Sequence, residues 1–154
     1  MNWEEDIEVT GAEFVNLRYP KNIRFECQRC AKCCRDTPER GREILMLERE
    51  VEQISDITNL KPEEFSTPAS RSGPYQYTMR KKEGKCIFLK GADCQIYPHR
   101  PLLCRFFPFC LEQLGSGIFE FNSSEECPGI GLGKVIDEEI FMTMLTEAIN
   151  MLKN

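Results

Sequence analysis

Four cysteines fall within one short run, FECQRCAKCC, at Cys27, Cys30, Cys33 and Cys34. Five more follow at Cys86, Cys94, Cys104, Cys110 and Cys127, so nine cysteines stand against a single histidine, His99. A C-x2-C spacing reverses the chain over two residues and brings two sulfurs within the coordination sphere of one ion. Thiolates so arranged suit zinc and iron–sulfur clusters. Zinc sites usually repeat the pair, as a second C-x2-C or as H-x3-H, and this chain does neither. Three cysteines at x2 spacing instead begin the ferredoxin-type run, which ends in a cysteine followed by proline. Cys127-Pro128 supplies such a pair far along the chain. The triple spacing and the near absence of histidine place iron–sulfur, as one or two 4Fe-4S clusters, ahead of zinc.

One cubane would take Cys27, Cys30, Cys33 and a remote sulfur. Cys34, Cys86, Cys94 and Cys104 remain for a second set, with Cys127 available to either, so eight ligands would fill two four-sulfur sites. Cys110, after the apolar FFPF, is left over as a small buried filler. The spacing does not assign ligands between sites. A disulfide framework is the competing reading, set against by the odd count and by the strain of pairing vicinal Cys33 and Cys34. His99, beside Arg100-Pro101 in a polar turn, is expected to face solvent or to cap rather than to ligate. Arg105 directly follows Cys104, and a guanidinium beside anionic sulfurs lowers the cost of an electron-rich cluster. It is the candidate cofactor-binding residue; the alternative is a surface arginine paired with a carboxylate. GIGLG at 129–133 looks like a phosphate loop but follows a Cys-Pro turn and lacks the full GxGxxG. It is expected to be a flexible lead-in to the last helix. No nucleophile–base pair or paired-carboxylate signature is legible.

The elements that must position these sulfurs are short. IEV and IRF in residues 1–25 read as short strands, as does REILM at 42–46. The recurrence of Leu47, Val51, Ile54 and Ile57 predicts an amphipathic helix over about 47–58. Pro62 starts a second helix, and 66–74 is a loop by composition. Tyr75–Arg80 and Lys85–Leu89 flank KKEG as a β-hairpin. Three prolines in IYPHRPLLCRFFPF limit any helix at 96–109 to a turn or two. IFEF is a further strand. An apolar stripe from Ile136 to Leu152 predicts a C-terminal helix over about 136–152. Asp137, Glu138 and Glu139 lie in its first turn and Lys153 near its last, as the helix dipole prefers. The fold class is α+β: residues 1–154 as one small domain, with a short hairpin or sheet and two main helices around a cysteine-rich metal centre.

Hydrophobic residues make 41% of the chain and charged residues 29%, a foldable mixture. No apolar run reaches the roughly 18 residues of a membrane span. The acidic N-terminal stretch lacks a secretory h-region, so a cytoplasmic location, where disulfides rarely persist, is expected. A net charge of −5 argues against general nucleic-acid binding. The basic middle, with Arg80, Lys81, Lys82, Lys85, Lys90, Arg100 and Arg105, is a solvated surface or a face for an acidic protein partner.

CQRCAKCC, then GKCIFLKGADCQIYPHRPLLCRFFPF, then Cys127 resembles the YkgJ-like cysteine-cluster family, a zinc- or iron-chelating CxxCxxCC domain. The resemblance covers about Phe25 to Cys127. It implies metal binding at Cys27, Cys30, Cys33, Cys34, Cys86, Cys94 and Cys104, with Arg100, Pro101 and Arg105 beside them. A related motif occurs in the flagellin lysine methylases, which are associated with an iron–sulfur cluster; this chain is much shorter. Three functions follow as expectations: an iron–sulfur protein for electron transfer or a module of a protein-modifying system, a structural zinc module that binds a protein, and a protein methyltransferase-like enzyme assisted by a cluster.

Overall fold

A computed structural model describes residues 5–10, 13–70 and 73–152 of the chain. Residues 1–4 of the acidic lead-in, 71–72 of the expected loop, and Lys153 lie outside the described residues. In chain order the elements are β1 (Glu5–Thr10), β2 (Glu13–Arg18), β3 (Arg24–Phe25), β4 (Leu45–Met46), α1 (Glu48–Thr58), α2 (Pro62–Phe65), β5 (Ser66–Pro68), β6 (Tyr77–Met79) and β7 (Lys81–Lys82). There follow β8 (Lys85–Cys86), β9 (Leu89–Lys90), β10 (Asp93–Cys94), α3 (Leu102–Phe106), β11 (Phe109–Gly115), β12 (Ile118–Ser123), β13 (Lys134–Val135) and α4 (Glu138–Leu152). Single 3-10 turns sit at Lys32–Cys34 and Tyr97–His99. The class is α+β, as expected. The chain divides into two compact units, Met1–Gln28 with Phe106–Asn154, and Arg29–Arg105.

The first unit is rich in strand. Its sheet runs β1-β2-β12-β11, antiparallel within β1/β2 and β11/β12 and parallel between β2 and β12. Residues two apart share a face of a strand, and Val15 and Leu17, like Phe119 and Phe121, are buried. Helix α4 lays Phe141, Leu145 and Ala148 into the core at i, i+4 and i+7 spacing. The Phe141 ring stands 5.2 Å from Tyr19, 5.1 Å from Phe109 and 5.2 Å from Phe121. The helix begins at Glu138 rather than Ile136 because the Ile136 N–H donates to Ile23 O at 2.8 Å. Asp137 then caps the first turn, its carboxylate accepting from the Ile140 N–H at 3.0 Å.

The GIGLG stretch is docked, contrary to the expected flexible lead-in. The Glu26 N–H donates to Gly129 O at 3.1 Å and the Gly131 N–H to Arg24 O at 2.8 Å. A Cβ on Gly129 would lie 2.2 Å from Glu26 O, so only glycine allows this approach. Strand β11 was not expected either, and it moves Cys110 out of the core: the residue is exposed on that strand and is not a buried filler.

The second unit packs α1, α2 and the small sheet β4-β6-β5 around Ile44, Met46, Val51, Ile54, Phe65, Met79, Cys86, Phe88 and Ile96. Its hairpin differs from the expected one. Strand β6 pairs with β4 and β5, and the hairpin is β7/β8 around Glu83-Gly84. Both turn residues have positive φ, 54° and 75°. Such a two-residue turn matches the strand twist, so the first two lysines of KKEG belong to a strand and only Glu-Gly turns.

Candidate metal centre

Six cysteines belong to the second unit, five of them on short elements and Cys30 in the loop before the first 3-10 turn. Cys30 lies between Arg29 and Ala31, both left-handed with φ of 56° and 62°. These kinks fold the run so that the Cys34 N–H closes on Ala31 O at 3.0 Å. Cys33 and Cys34 therefore project from one 3-10 turn, their sulfurs 3.7 Å apart. That separation is far beyond the roughly 2.05 Å of a disulfide, and none of the six cysteines is in a disulfide. Cys86 is on β8, Cys94 on β10 and Cys104 on α3. Cys86 is part of the apolar core, and Cys34, Cys94 and Cys104 pack against it.

Five of these thiols also act on one another's protonation. Cys34 is raised by its hydrogen bond to Cys33, by burial, and by the negative ends of Cys33, Cys104 and Cys86. Cys86 is raised by burial and by Cys94 and Cys33. Burial also raises Cys94, with Cys33 adding to it. Burial pushes Cys104 up to about 12, and Cys86, Cys33 and Cys94 act in the same direction. Cys33 alone is pulled down, to about 6, by the Cys34 hydrogen bond and by the Arg42 and Arg100 guanidiniums. Cys33, Cys34, Cys86, Cys94 and Cys104 are thus one electrostatic group, four of them held as thiols until a cation compensates their charge.

Arg42 was not singled out in the sequence. Its Nε donates to Cys33 O at 2.9 Å, and its charge lowers both Cys33 and Cys104. No local signal marks it, because it lies nine residues from its partner. Arg105 is half-buried; burial lowers its pKa and the Glu50 carboxylate is the main group opposing that, ahead of Cys104. Glu50 is buried, and its carboxylate accepts from the Leu47 N–H at 2.9 Å and the Leu102 N–H at 2.6 Å. It thereby anchors the start of the helix that carries Cys104. His99 is exposed, as expected. Cys27 and Cys127 belong to the first unit, where the Glu26–Gly129 hydrogen bond ties their two segments together.

Among the described residues, no three Cys, His, Asp or Glu side chains already enclose a point where a metal ion would sit. The donor set nonetheless fits a soft-ligand centre: it is all sulfur, and the Arg42 and Arg100 guanidiniums act on it. Metal binding here would displace protons from the thiols.

Residues 26–128 match the family described as "Putative zinc- or iron-chelating domain", CxxCxxCC. The chain belongs to this family. It is therefore a metal-binding cysteine-cluster protein, of the zinc- or iron-chelating kind. Among curated relatives, uncharacterized protein MJ0939 of Methanocaldococcus jannaschii is 28% identical over 138 residues, which is 86% of this chain and 45% of the relative. Uncharacterized protein MJ0661 of the same organism is 28% identical over 128 residues, 78% of this chain and 66% of the relative. The chain spans less than two thirds of the length of either. No solved structure matches it. Among the described residues, no helix is long and apolar enough to cross a membrane.

Proposed function

We propose that Cys33, Cys34, Cys86, Cys94 and Cys104 hold an iron–sulfur centre, and that the protein carries electrons or serves as the redox module of a protein-modifying system. The reading is supported by the placing of six cysteines in one unit, where the Cys33 and Cys34 sulfurs stand 3.7 Å apart and Cys34, Cys94 and Cys104 pack against the core that includes Cys86. A structural zinc ion takes about four ligands in a closed tetrahedron. A 4Fe-4S cluster likewise takes four thiolates, so the number of sulfurs does not separate the two; what favours iron–sulfur is the C-x2-C-x2-C start at Cys27, Cys30 and Cys33, the ferredoxin spacing, of which Cys33 belongs to this set.

The chain's residues divide the work. Cys86 and Cys104 supply buried donors, while Cys33 and Cys34 present two sulfurs from one turn. Arg42 and Arg100 offset the negative charge of several thiolates, which stabilises an electron-rich centre. The group itself would supply one-electron transfer. Cys27, Cys30 and Cys127 are the remaining candidates for a second centre. The greater length of MJ0939 and MJ0661 supports a module joined to other segments in some relatives. A protein partner is part of this proposal, as is a reducing, cytoplasmic setting.

The test is anaerobic purification followed by an absorption spectrum and iron, sulfide and zinc analysis. A brown protein with broad absorbance near about 400 nm and roughly four or eight irons per chain supports the reading. A colourless protein with about one or two zinc ions per chain overturns it, in favour of a structural zinc module.

A further inference from the structure

Asp36 lies two residues past Cys34 and is no ligand of the proposed centre, yet it joins the two segments that bring Cys34 and Cys86 together. Its N–H donates to Gly84 O at 2.7 Å, at the apex of the β7/β8 hairpin. Its Oδ1 accepts from Lys81 Nζ at 2.8 Å, and Lys81 stands directly opposite Cys86 in the hairpin register. The same oxygen accepts from the Arg42 N–H at 2.6 Å. Arg42 in turn closes on Cys33 O through Nε, at 2.9 Å. An antiparallel backbone β-bridge between Arg35 and Lys85 runs alongside. The hairpin apex is shaped for this: a Cβ on Gly84 would lie 3.3 Å from Asp36 Oδ2, and its φ of +75° suits glycine.

We infer that Asp36 is a positioning residue, a metal-independent clasp that presets the Cys33–Cys34 turn against the Cys86 hairpin. The inference rests on the reading of these thiols as a metal centre. Groups that orient ligands from outside the coordination sphere typically change metal affinity by about 10- to 100-fold when lost. The clasp works by geometry rather than by charge on the metal. A carboxylate adds negative charge beside thiolates, so a purely electrostatic role would make its removal strengthen the site for an anionic cluster.

The experiment compares full-length wild type with Asp36→Ala, Asp36→Asn and Lys81→Met. Zn²⁺ affinity is read by competition with a chromophoric chelator, and the Co²⁺-loaded spectrum reports ligand geometry. The apo proteins are also reacted with a short bifunctional thiol reagent that bridges Cys34 and Cys86, scored by peptide mapping. Asp36→Ala should weaken Zn²⁺ binding by about tenfold or more, alter the Co²⁺ spectrum and lower the bridging yield. Asp36→Asn keeps an acceptor for the Arg42 N–H and should recover much of each loss; Lys81→Met should fall between. Unchanged affinity and spectrum in Asp36→Ala would overturn the clasp, as would tighter binding. If wild type binds no metal, the metal-centre reading fails instead, and the clasp is judged on bridging alone, where equal yields in wild type and Asp36→Ala overturn it.

Discussion

Glu50 offers a prediction whose size follows from the structure. The side chain is 3% exposed and its carboxylate accepts from two backbone donors, the Leu47 N–H and the Leu102 N–H. Each buried donor left without an acceptor costs about 1–3 kcal/mol. Glu50→Ala strands both, a loss of about 2–6 kcal/mol before compensation. Burial also raises the Glu50 pKa from its ordinary 4.5, against the pull of the two N–H groups, so the charge carries a desolvation cost that the mutation relieves. The net expectation is a loss of about 2–4 kcal/mol. Urea unfolding followed by far-UV circular dichroism should show a lower midpoint at unchanged slope. A loss below about 1 kcal/mol would refute the two stranded donors. Glu50→Gln retains one carbonyl acceptor and should lose less. The raised pKa also sets a sign. The folded state holds the Glu50 proton more tightly than the unfolded state, so its contribution is fully present below the ordinary value and is lost as pH rises through the folded value. Wild type should therefore exceed Glu50→Gln by more near about pH 4 than near about pH 7.

Cys86→Ser should reduce bound metal per chain, whereas Cys110→Ser on the exposed β11 should leave metal content at wild-type level by elemental analysis. Arg42→Ala should lower the reduction potential of the loaded protein more than Arg105→Ala in protein-film voltammetry, because Arg42 acts on Cys33 and Cys104 while Glu50 outweighs Cys104 among the anions acting on Arg105; the reverse order would return the tuning role to Arg105. Phe141→Ala removes a ring packed against three others and should cost about 3–5 kcal/mol in urea unfolding.

The elements that declared themselves in the sequence are those with enough residues to show a period. Val51 and Ile54 in α1, and Phe141, Leu145 and Ala148 in α4, are buried at the spacing read from the chain. Strand β11 gave no such sign, because FCLEQLG buries only its first residue and follows a proline-rich stretch. The β7/β8 turn was misplaced because Lys81 and Lys82 look like loop residues until both φ values of Glu83-Gly84 are seen. The cysteines were legible as a set by count and type. Their grouping was not, since the approach of Cys34, Cys86, Cys94 and Cys104 depends on three separate turns and a helix start. Arg42, Glu50 and Asp36 were illegible for the same reason: each acts on residues distant in the chain, and a lone charged residue has no periodicity to betray it.

The two units should respond differently to metal. In Arg29–Arg105 five of the six cysteines ride on two-residue strands, one 3-10 turn and a five-residue helix. Isolated hairpins are marginal in water at best, and closing the loops between them costs chain entropy that thiolate bonds to one centre would offset. The other unit has six- and seven-residue strands in a four-stranded sheet and a fifteen-residue helix whose Phe141 packs against three further aromatic rings. That unit has a hydrophobic core of its own. Hydrogen exchange before and after chelation should therefore lose protection first at β8, β10 and α3, while β2, β12 and α4 keep theirs. Uniform loss across both units would mean that the metal is tied to a single cooperative fold. Unchanged exchange at β8 and β10 would mean that the Cys86 hairpin and its neighbours stand on apolar packing alone, and that the thiols bind metal without helping to hold their own segments in place.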